Sequence, residues 1–227
     1  MDVVIFAAGC GSRLDKKLPK CLVEVGEKKI IDHQIDFIRS IVPDAPIYVV
    51  TGYKFDDVRC HLKGRGVHLI HNPFYDCSGI VGTAWLSLSH IKSPVVWRID
   101  GDVIFTQSET IEDILDYDRT IFIGNNCPNP RETAYLKTVD GSVKGIGFAD
   151  DYSGPEEWSC SEVYRNYDYQ TIVQGTTHLI KKGHYFEAVN HAMKDLICKP
   201  NYAIIDGVYE IDTKKDLKNA RKELSNS

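Results

Sequence analysis

Val3-Val4-Ile5-Phe6-Ala7-Ala8-Gly9-Cys10-Gly11-Ser12-Arg13-Leu14 joins an unbroken apolar run to a glycine-rich turn that carries an arginine. A short run with no polar interruption reads as a strand buried on both faces, so residues 3–8 are expected to be the inner strand of a covered sheet. The residues that follow supply the cover. Ile30, Ile31, Ile35, Ile38 and Ile41 form a helical stripe that stops before Pro43. Further strands are expected over 46–50, 67–70 and 94–99, and helices over 55–62 and 80–91. This alternation predicts an α/β fold with a mixed, mainly parallel sheet and helices on both faces. Ligands in such sheets gather beyond the carboxyl ends of the strands, where residues 9–13 and Asp100-Gly101-Asp102 both fall.

After Asp102 the pattern changes. Residues 120–124, 134–139 and 142–148 read as antiparallel strands, the last two joined through Asp140-Gly141. Residues 150–168 are polar, aromatic and punctuated by glycine and proline, which reads as a long loop or lid. A strand near 171–180, a helix near 185–197, a short strand at 203–206 and a closing helix at 214–224 complete the chain. No repeat or linker is evident, so one domain over residues 1–227 is expected, with the change of pattern after residue 102.

Composition narrows the classes. With 227 residues, 43% hydrophobic and 26% charged, the chain can bury a sizeable core without disulfide or metal staples. A net charge of −5 with no basic stripe makes duplex nucleic acid and anionic membrane poor partners. No apolar run is long enough for a membrane span, and the start Met-Asp-Val-Val has no basic region of a leader, so a cytoplasmic location is expected. The seven cysteines (Cys10, Cys21, Cys60, Cys77, Cys127, Cys160, Cys198) are scattered without a C-x-x-C pair and read as reduced thiols. The histidines, including His33, His71 and His178, show no ligand spacing.

The chemistry sits in Ala7-Ala8-Gly9-Cys10-Gly11-Ser12-Arg13-Leu14 and in Leu18-Pro19-Lys20-Cys21-Leu22. Glycines let the backbone turn tightly and present amide hydrogens to a polyphosphate, and Arg13 and Lys20 add fixed positive charge beside them. The loop lacks the G-K-S/T ending of a Walker loop and the third glycine of the dinucleotide fingerprint. Asp100 and Asp102 would point to opposite sides if the strand ran on between them, one then being structural, with Asp102 favoured for a metal. D-G-D alone equally fits a surface turn. Asp212 is a metal candidate that equally fits an N-cap of the closing helix, a role open to Thr213 as well.

The segment A-A-G-C-G-S-R-L…L-P-K-C-L-V-E-V resembles the signature loop of the nucleotidyltransferases that activate sugar phosphates and phospho-alcohols, and most of all the phosphocholine-type cytidylyltransferases. Asp100-Gly101-Asp102 and Tyr209-Glu210-Ile211-Asp212-Thr213 extend the resemblance to both ends of the chain. The resemblance implies a Rossmann-like three-layer α/β/α domain with a nucleotide-binding half (1–102) and an acceptor-binding, metal-completing half (103–227), a nucleoside triphosphate, and Mg²⁺ held by Asp102 and Asp212. Gly9, Gly11 and Ser12 would cradle phosphates, Arg13 would grip the β- and γ-phosphates, and Lys20 would neutralise the α-phosphate under attack. Ribose and base would lie against Ala7, Ala8 and residues 78–85, with Gly82, Thr83 and Asp100 among the nucleotide contacts. Five residues between Arg13 and Pro19 make a shorter loop than sugar-phosphate members carry, and residues 78–85 lack the Asn-rich stretch of phosphocholine enzymes.

The expected reaction is transfer of CMP from CTP to a small phosphorylated or phosphonate acceptor with release of pyrophosphate, serving cell-surface polymer or phosphonate biosynthesis. No protein nucleophile or general base is required, which agrees with the lack of a Ser-His-Asp or Cys-His set. Tyr135, Tyr152, Trp158 and Tyr164 would form an aromatic wall for a quaternary ammonium, Asp150, Asp151, Glu156 and Glu157 would hold a primary amine, and Arg131 and Lys137 an acceptor phosphate. Nucleotidyl transfer from another NTP, such as hexose-1-phosphate or guanylyl transfer, stays open, as do a metal-dependent glycosyltransferase, a nucleotide sensor on the same fold, and homo-oligomerisation.

Overall fold

The computed structural model describes residues 1–11, 14, 18–125, 134–140, 142–148, 157–175, 177–182 and 200–224. Its strands are β1 (Asp2–Ala7), β2 (Glu24–Val25), β3 (Lys28–Lys29), β4 (Ile47–Thr51), β5 (His68–His71), β6 (Val96–Asp100), β7 (Val103–Phe105), β8 (Ile121–Asn125), β9 (Ala134–Val139), β10 (Ser142–Phe148), β11 (Glu157–Tyr164), β12 (Asn201–Ile204) and β13 (Val208–Glu210). Its α-helices are α1 (Ile30–Ile41), α2 (Phe55–His61), α3 (Gly79–Ser87), α4 (Ser108–Asp116), α5 (Asp168–Gly175) and α6 (Lys214–Leu224).

One sheet runs β5-β4-β1-β6-β11-β8-β12-β10-β9. Its strands β5, β4, β1 and β6 are parallel neighbours, and within this sheet only β10 and β11 run against the rest. Successive residues of β1 serve opposite layers, as period two demands. Val3, Ile5 and Ala7 pack with α1 residues Ile31, Ile35 and Ile38 and with Ile111 and Ile114 of α4. Val4 and Phe6 pack on the other face with Val81 and Ala84 of α3 and Ile172 and Val173 of α5. Each fully buried isoleucine contributes about 1.5–3 kcal/mol, so this double cover is what drives the central strand inside. The chain runs outward from β1 to β4 and β5, then crosses back to β6 on the other flank of β1. The carboxyl ends of β1 and β6 therefore meet at a topological switch point.

Two sequence expectations fail in the second half. Residues 157–164, read as part of a loop, form β11, the strand between β6 and β8. Ser161, Glu162, Val163 and Tyr164 are all fully buried there, so no polar face survives to reveal the strand. Residues 171–180, read as a strand, instead lie in α5 (Asp168–Gly175) and the 3₁₀ helix Thr177–Lys182 that follows it. Tyr169, Ile172 and Val173 supply its buried stripe at helical spacing, and Asp168 accepts a hydrogen bond from the Thr120 hydroxyl at its start. The expected helix at 185–197 lies outside the described residues.

Glu162 is tolerated in the core because Arg98, equally buried, donates from one guanidinium nitrogen to both carboxylate oxygens at 2.9 and 3.0 Å. Burial pushes the Glu162 carboxyl up to about 8, Arg98 opposing the rise and Asp100 adding to it. The native state thus keeps a proton that the unfolded chain releases near 4.5, so stability falls as pH rises from about 4.5 to about 8 and then levels off. Thermal melts from about pH 5.5 to 8.5 should show this decline, and Glu162→Gln should flatten it. An unchanged slope in the variant would remove Glu162 as its source.

Candidate active site

Beyond the ends of β1 and β6 lies a cavity of about 280 Å³ lined by Ala7, Ala8, Gly9, Lys20, Thr83, Asp100 and Asp102. All seven were singled out from sequence. Phe6, Cys21, Tyr75, Gly79, Ile80 and Gly101 complete the lining. Gly79 and Ile80 fall within residues 78–85, already expected at the base, whereas Tyr75 had no signal in the sequence. The Tyr75 side chain is set by Gly52, where an added Cβ would stand 2.4 Å from the tyrosine Cβ. Burial pushes the Cys21 thiol up to about 12, so it lines the cavity as a protonated, inert group.

Gly11 and Gly82 stand behind this lining. Gly11 has φ +59° and lies so close to Lys20 that a Cβ there would be 2.9 Å from the lysine Cβ. Gly82 is in the first turn of α3, its Cα packed on Ser78. Asn72, fully buried at the end of β5, donates to the Ser78 and Thr83 hydroxyls at 3.2 Å each and so holds the first turn of α3 against the cavity. Ser12 and Arg13 lie outside the described residues.

The acidic side of the site is built by a short ladder. Strand β7 pairs antiparallel with β13, Val103 opposite Glu210, and the Ile211 amide donates to the Asp102 carbonyl at 3.0 Å. Asp102 precedes β7 and Asp212 follows β13, so antiparallel pairing brings both carboxylates to the same end. The Lys20 ammonium donates to one oxygen of each. Burial opposes charge on Lys20, but Asp102 and Asp212 outweigh it and hold the ammonium above the usual lysine range. Glu210 is pushed the other way: burial, then repulsion from Asp102 and Asp212, hold its carboxyl well above the ordinary carboxylate range. The sequence motif contained Glu210, yet nothing in the one-letter code showed that the β7–β13 ladder sets it beside two other acids.

Asp100 and Asp102 do not diverge as strand alternation would have it. Strand β6 ends at Asp100, Asp102 stands in the turn, and both line the cavity. Asp100 is also structural, since it accepts from the second guanidinium nitrogen of Arg98. The turn is pinned by Gln34 of α1, which donates to the Asp100 carbonyl at 2.6 Å and to the Val103 carbonyl at 2.7 Å. From the other side the Gly101 amide donates to the Phe6 carbonyl at 2.9 Å. A Cβ on Gly101 would stand 2.7 Å from that carbonyl oxygen and 2.8 Å from the Ala7 Cα, both backbone atoms. Gly101→Ala should therefore cost about 1–3 kcal/mol in a urea titration and distort the cavity floor. Stability equal to the unsubstituted protein would mean that the turn shifts freely.

Asp212 is not a helix cap. Thr213 takes that role: its hydroxyl and the Asp216 carboxylate bond reciprocally to the Asp216 and Thr213 amides, a capping box at the start of α6. Asp212 is left to face Lys20. Oδ1 of Asp102 is buried with no hydrogen-bond partner among the described residues. An orphaned carboxylate oxygen beside a second carboxylate from another segment suits a divalent cation that completes its shell with water and phosphate oxygens. Among the described residues no group of three or more His, Cys, Asp or Glu side chains is arranged as a metal cage.

The acceptor side differs from expectation at Tyr164. It is a core residue, fully buried, with its ring 6.0 Å from Phe122 and 5.5 Å from Tyr169, and so cannot form a wall for a quaternary ammonium. Tyr135, Lys137, Glu157 and Trp158 fall on strands whose side chains lie outside the described residues, as do Arg131, Asp150, Asp151, Tyr152 and Glu156 entirely. No described helix is long and apolar enough to cross a membrane.

Comparison with known proteins places these observations. The MobA-like NTP transferase domain family matches residues 3–123. The bifunctional protein GlmU of Francisella tularensis subsp. novicida is 31% identical over 116 residues, 51% of this chain and 25% of that protein. The chain thus matches about a quarter of the length of such curated relatives. Among solved structures, the CTP:phosphocholine cytidylyltransferase LicC from Streptococcus pneumoniae superposes with a TM-score of 0.82 at 20% identity, covering 98% of each chain. A putative glucose-1-phosphate thymidylyltransferase from Bacillus anthracis gives a TM-score of 0.84 at 18% identity, covering 100% of this chain and 96% of that one. The inositol-1-phosphate CTP transferase from T. maritima gives 0.73 at 14%, covering 98% and 96%. These three share the fold.

Proposed function

Because the chain belongs to the MobA-like NTP transferase domain family, we propose that it is a Mg²⁺-dependent cytidylyltransferase: it transfers CMP from CTP to a small phosphorylated or phosphonate acceptor and releases pyrophosphate. The observation that carries this reading is Lys20 placed between Asp102 and Asp212 at the cavity beyond β1 and β6. CTP is preferred because two of the structures that share its fold act with CTP by name.

Ala7, Ala8, Gly9, Gly79, Ile80 and Thr83 line a trough for nucleoside and phosphates, with Gly11 and Gly82 behind it. Asp102 and Asp212 would hold the divalent cation, which when bound offsets charge on the phosphates. An acceptor phosphate oxygen attacks the α-phosphorus of CTP, the bond from that phosphorus to the bridging oxygen breaks, and pyrophosphate leaves with that electron pair. The attacking oxygen is already anionic near neutral pH, so the protein need move no proton. Lys20 sits beside the cavity as a compact cation in low dielectric, placed to offset charge on the α-phosphate. Arg13 and Ser12 are assigned to the leaving phosphates in the same reading, and Asp100, fixed by Arg98, to the nucleotide. The division into a nucleotide half (1–102) and an acceptor half (103–227) is part of the proposal, as is a cytoplasmic site of action.

The test is pyrophosphate release with Mg²⁺, crossing the four NTPs with phosphocholine, phosphoethanolamine, phosphoamino acids, aminoethylphosphonate and hexose 1-phosphates. Release with CTP and one small phosphate or phosphonate is the expected result. Release only with another NTP and a sugar phosphate would overturn the CTP assignment and keep the reaction class. Silence across the panel, with turnover of a nucleotide sugar, would overturn the reaction class.

A further inference from the structure

Lys20 contacts an oxygen of Asp102 and an oxygen of Asp212 at once, and the three side chains are only 14%, 16% and 27% exposed. A divalent cation shared by the same two carboxylates would need its oxygens at roughly 2.0–2.1 Å, which puts it where the ammonium now stands. Two like charges cannot hold that place together in a partly buried site. The lysine can leave without disturbing the fold. Its Cα and Cβ are fixed against Gly11, and Pro19 and the one-turn helix Lys20–Leu22 set its backbone, but the stem beyond is a flexible four-carbon chain. That stem lines the same cavity as Ala8, Gly9 and Thr83, so an ammonium swung from the carboxylates stays within reach of a phosphate bound there.

We infer that Lys20 and a divalent cation compete for Asp102 and Asp212, and that nucleotide phosphate, by drawing the ammonium away, opens the two carboxylates to the cation. The inference rests on the reading of Asp102 and Asp212 as cation ligands and adds an order to it: nucleotide loosens the lysine, then the cation enters. Free Mg²⁺ is thereby kept off the acids until a substrate is present. The otherwise unmatched Asp102 Oδ1 gives an entering cation one oxygen that the lysine does not occupy.

Mn²⁺ binding to the nucleotide-free protein, followed by the loss of the free-ion paramagnetic resonance signal, tests the competition without any turnover. Lys20→Met and Lys20→Gln should each bind Mn²⁺ at least tenfold more tightly than the unsubstituted protein, with unchanged far-UV circular dichroism confirming the fold. In the double variant Lys20→Met with Asp102→Asn the gain should vanish. Equal Mn²⁺ affinity in the unsubstituted protein and in both Lys20 variants, lost on Asp102→Asn, would overturn the competition while leaving Asp102 as a ligand. A gain that persists in the double variant would place the ion elsewhere and overturn the ligand reading with it.

Discussion

Lys20→Ala should lower kcat at least a hundredfold, which corresponds to on the order of 3 kcal/mol of transition-state stabilisation. The expectation follows from placement. The Lys20 side chain is 14% exposed and lines the cavity, so its interaction with a crowded α-phosphate is screened far less than a surface charge would be. In the proposed reaction the lysine's partner gains charge as the bond to pyrophosphate stretches, so the loss should fall on kcat more than on KM for nucleotide. Lys20→Arg should restore little, because a bulky planar fork cannot take the place of a compact point charge whose stem is held at its Cβ against Gly11. Pyrophosphate release under saturating substrates measures the effect. A fall below fivefold would remove Lys20 from the chemistry, and a nucleotide sensor would keep its output after the substitution provided binding survived.

The second large effect is on stability. At about pH 9, above the titration of Glu162, Arg98→Met should destabilise the protein by about 3–5 kcal/mol, because it strands the Glu162 carboxylate in the core and releases Asp100 at the cavity floor. For a chain of this size that is a drop in Tm on the order of 10 °C. The guanidinium also stacks over the Phe6 ring, 4.7 Å from its centroid, so one side chain ties core acid, cavity acid and cavity wall. Methionine keeps most of the volume, which leaves charge as the difference. Pairing Arg98→Met with Glu162→Gln should regain most of the loss, since the uncompensated buried acid is then gone. If the double variant is as unstable as the single one, packing against Phe6, not the ion pair, is what Arg98 supplies.

How much of this was legible in the sequence depended on whether a segment buried itself by local pattern. β1 and α1 were plain, because one is apolar throughout and the other carries an isoleucine stripe that the sheet uses. β11 was hidden. Its Glu162 reads as a loop residue until Arg98, from β6, is beside it, and that pairing is non-local. α5 was hidden for the opposite reason: β-branched residues gave a strand signal that tertiary packing against α3 overrode. At the site, the glycine loop, Lys20 and the D-G-D turn were readable because their chemistry lies within a few residues. Gln34, Asn72, Tyr75 and Arg98 were not, since each serves the site from another element and none belongs to a motif.

The ladder that unites Asp102 with Asp212 also sets a clock. A ribosome that has delivered residues 1–207 has made the cavity wall, Lys20, Asp100 and Asp102, but neither Glu210 nor Asp212. β12, which pairs with both β8 and β10, likewise follows them at Asn201–Ile204. In the proposed function, a growing polypeptide therefore has no second acid for the cation until residue 212 has emerged. The two carboxylates come together only when β13 slots against β7, made about a hundred residues earlier.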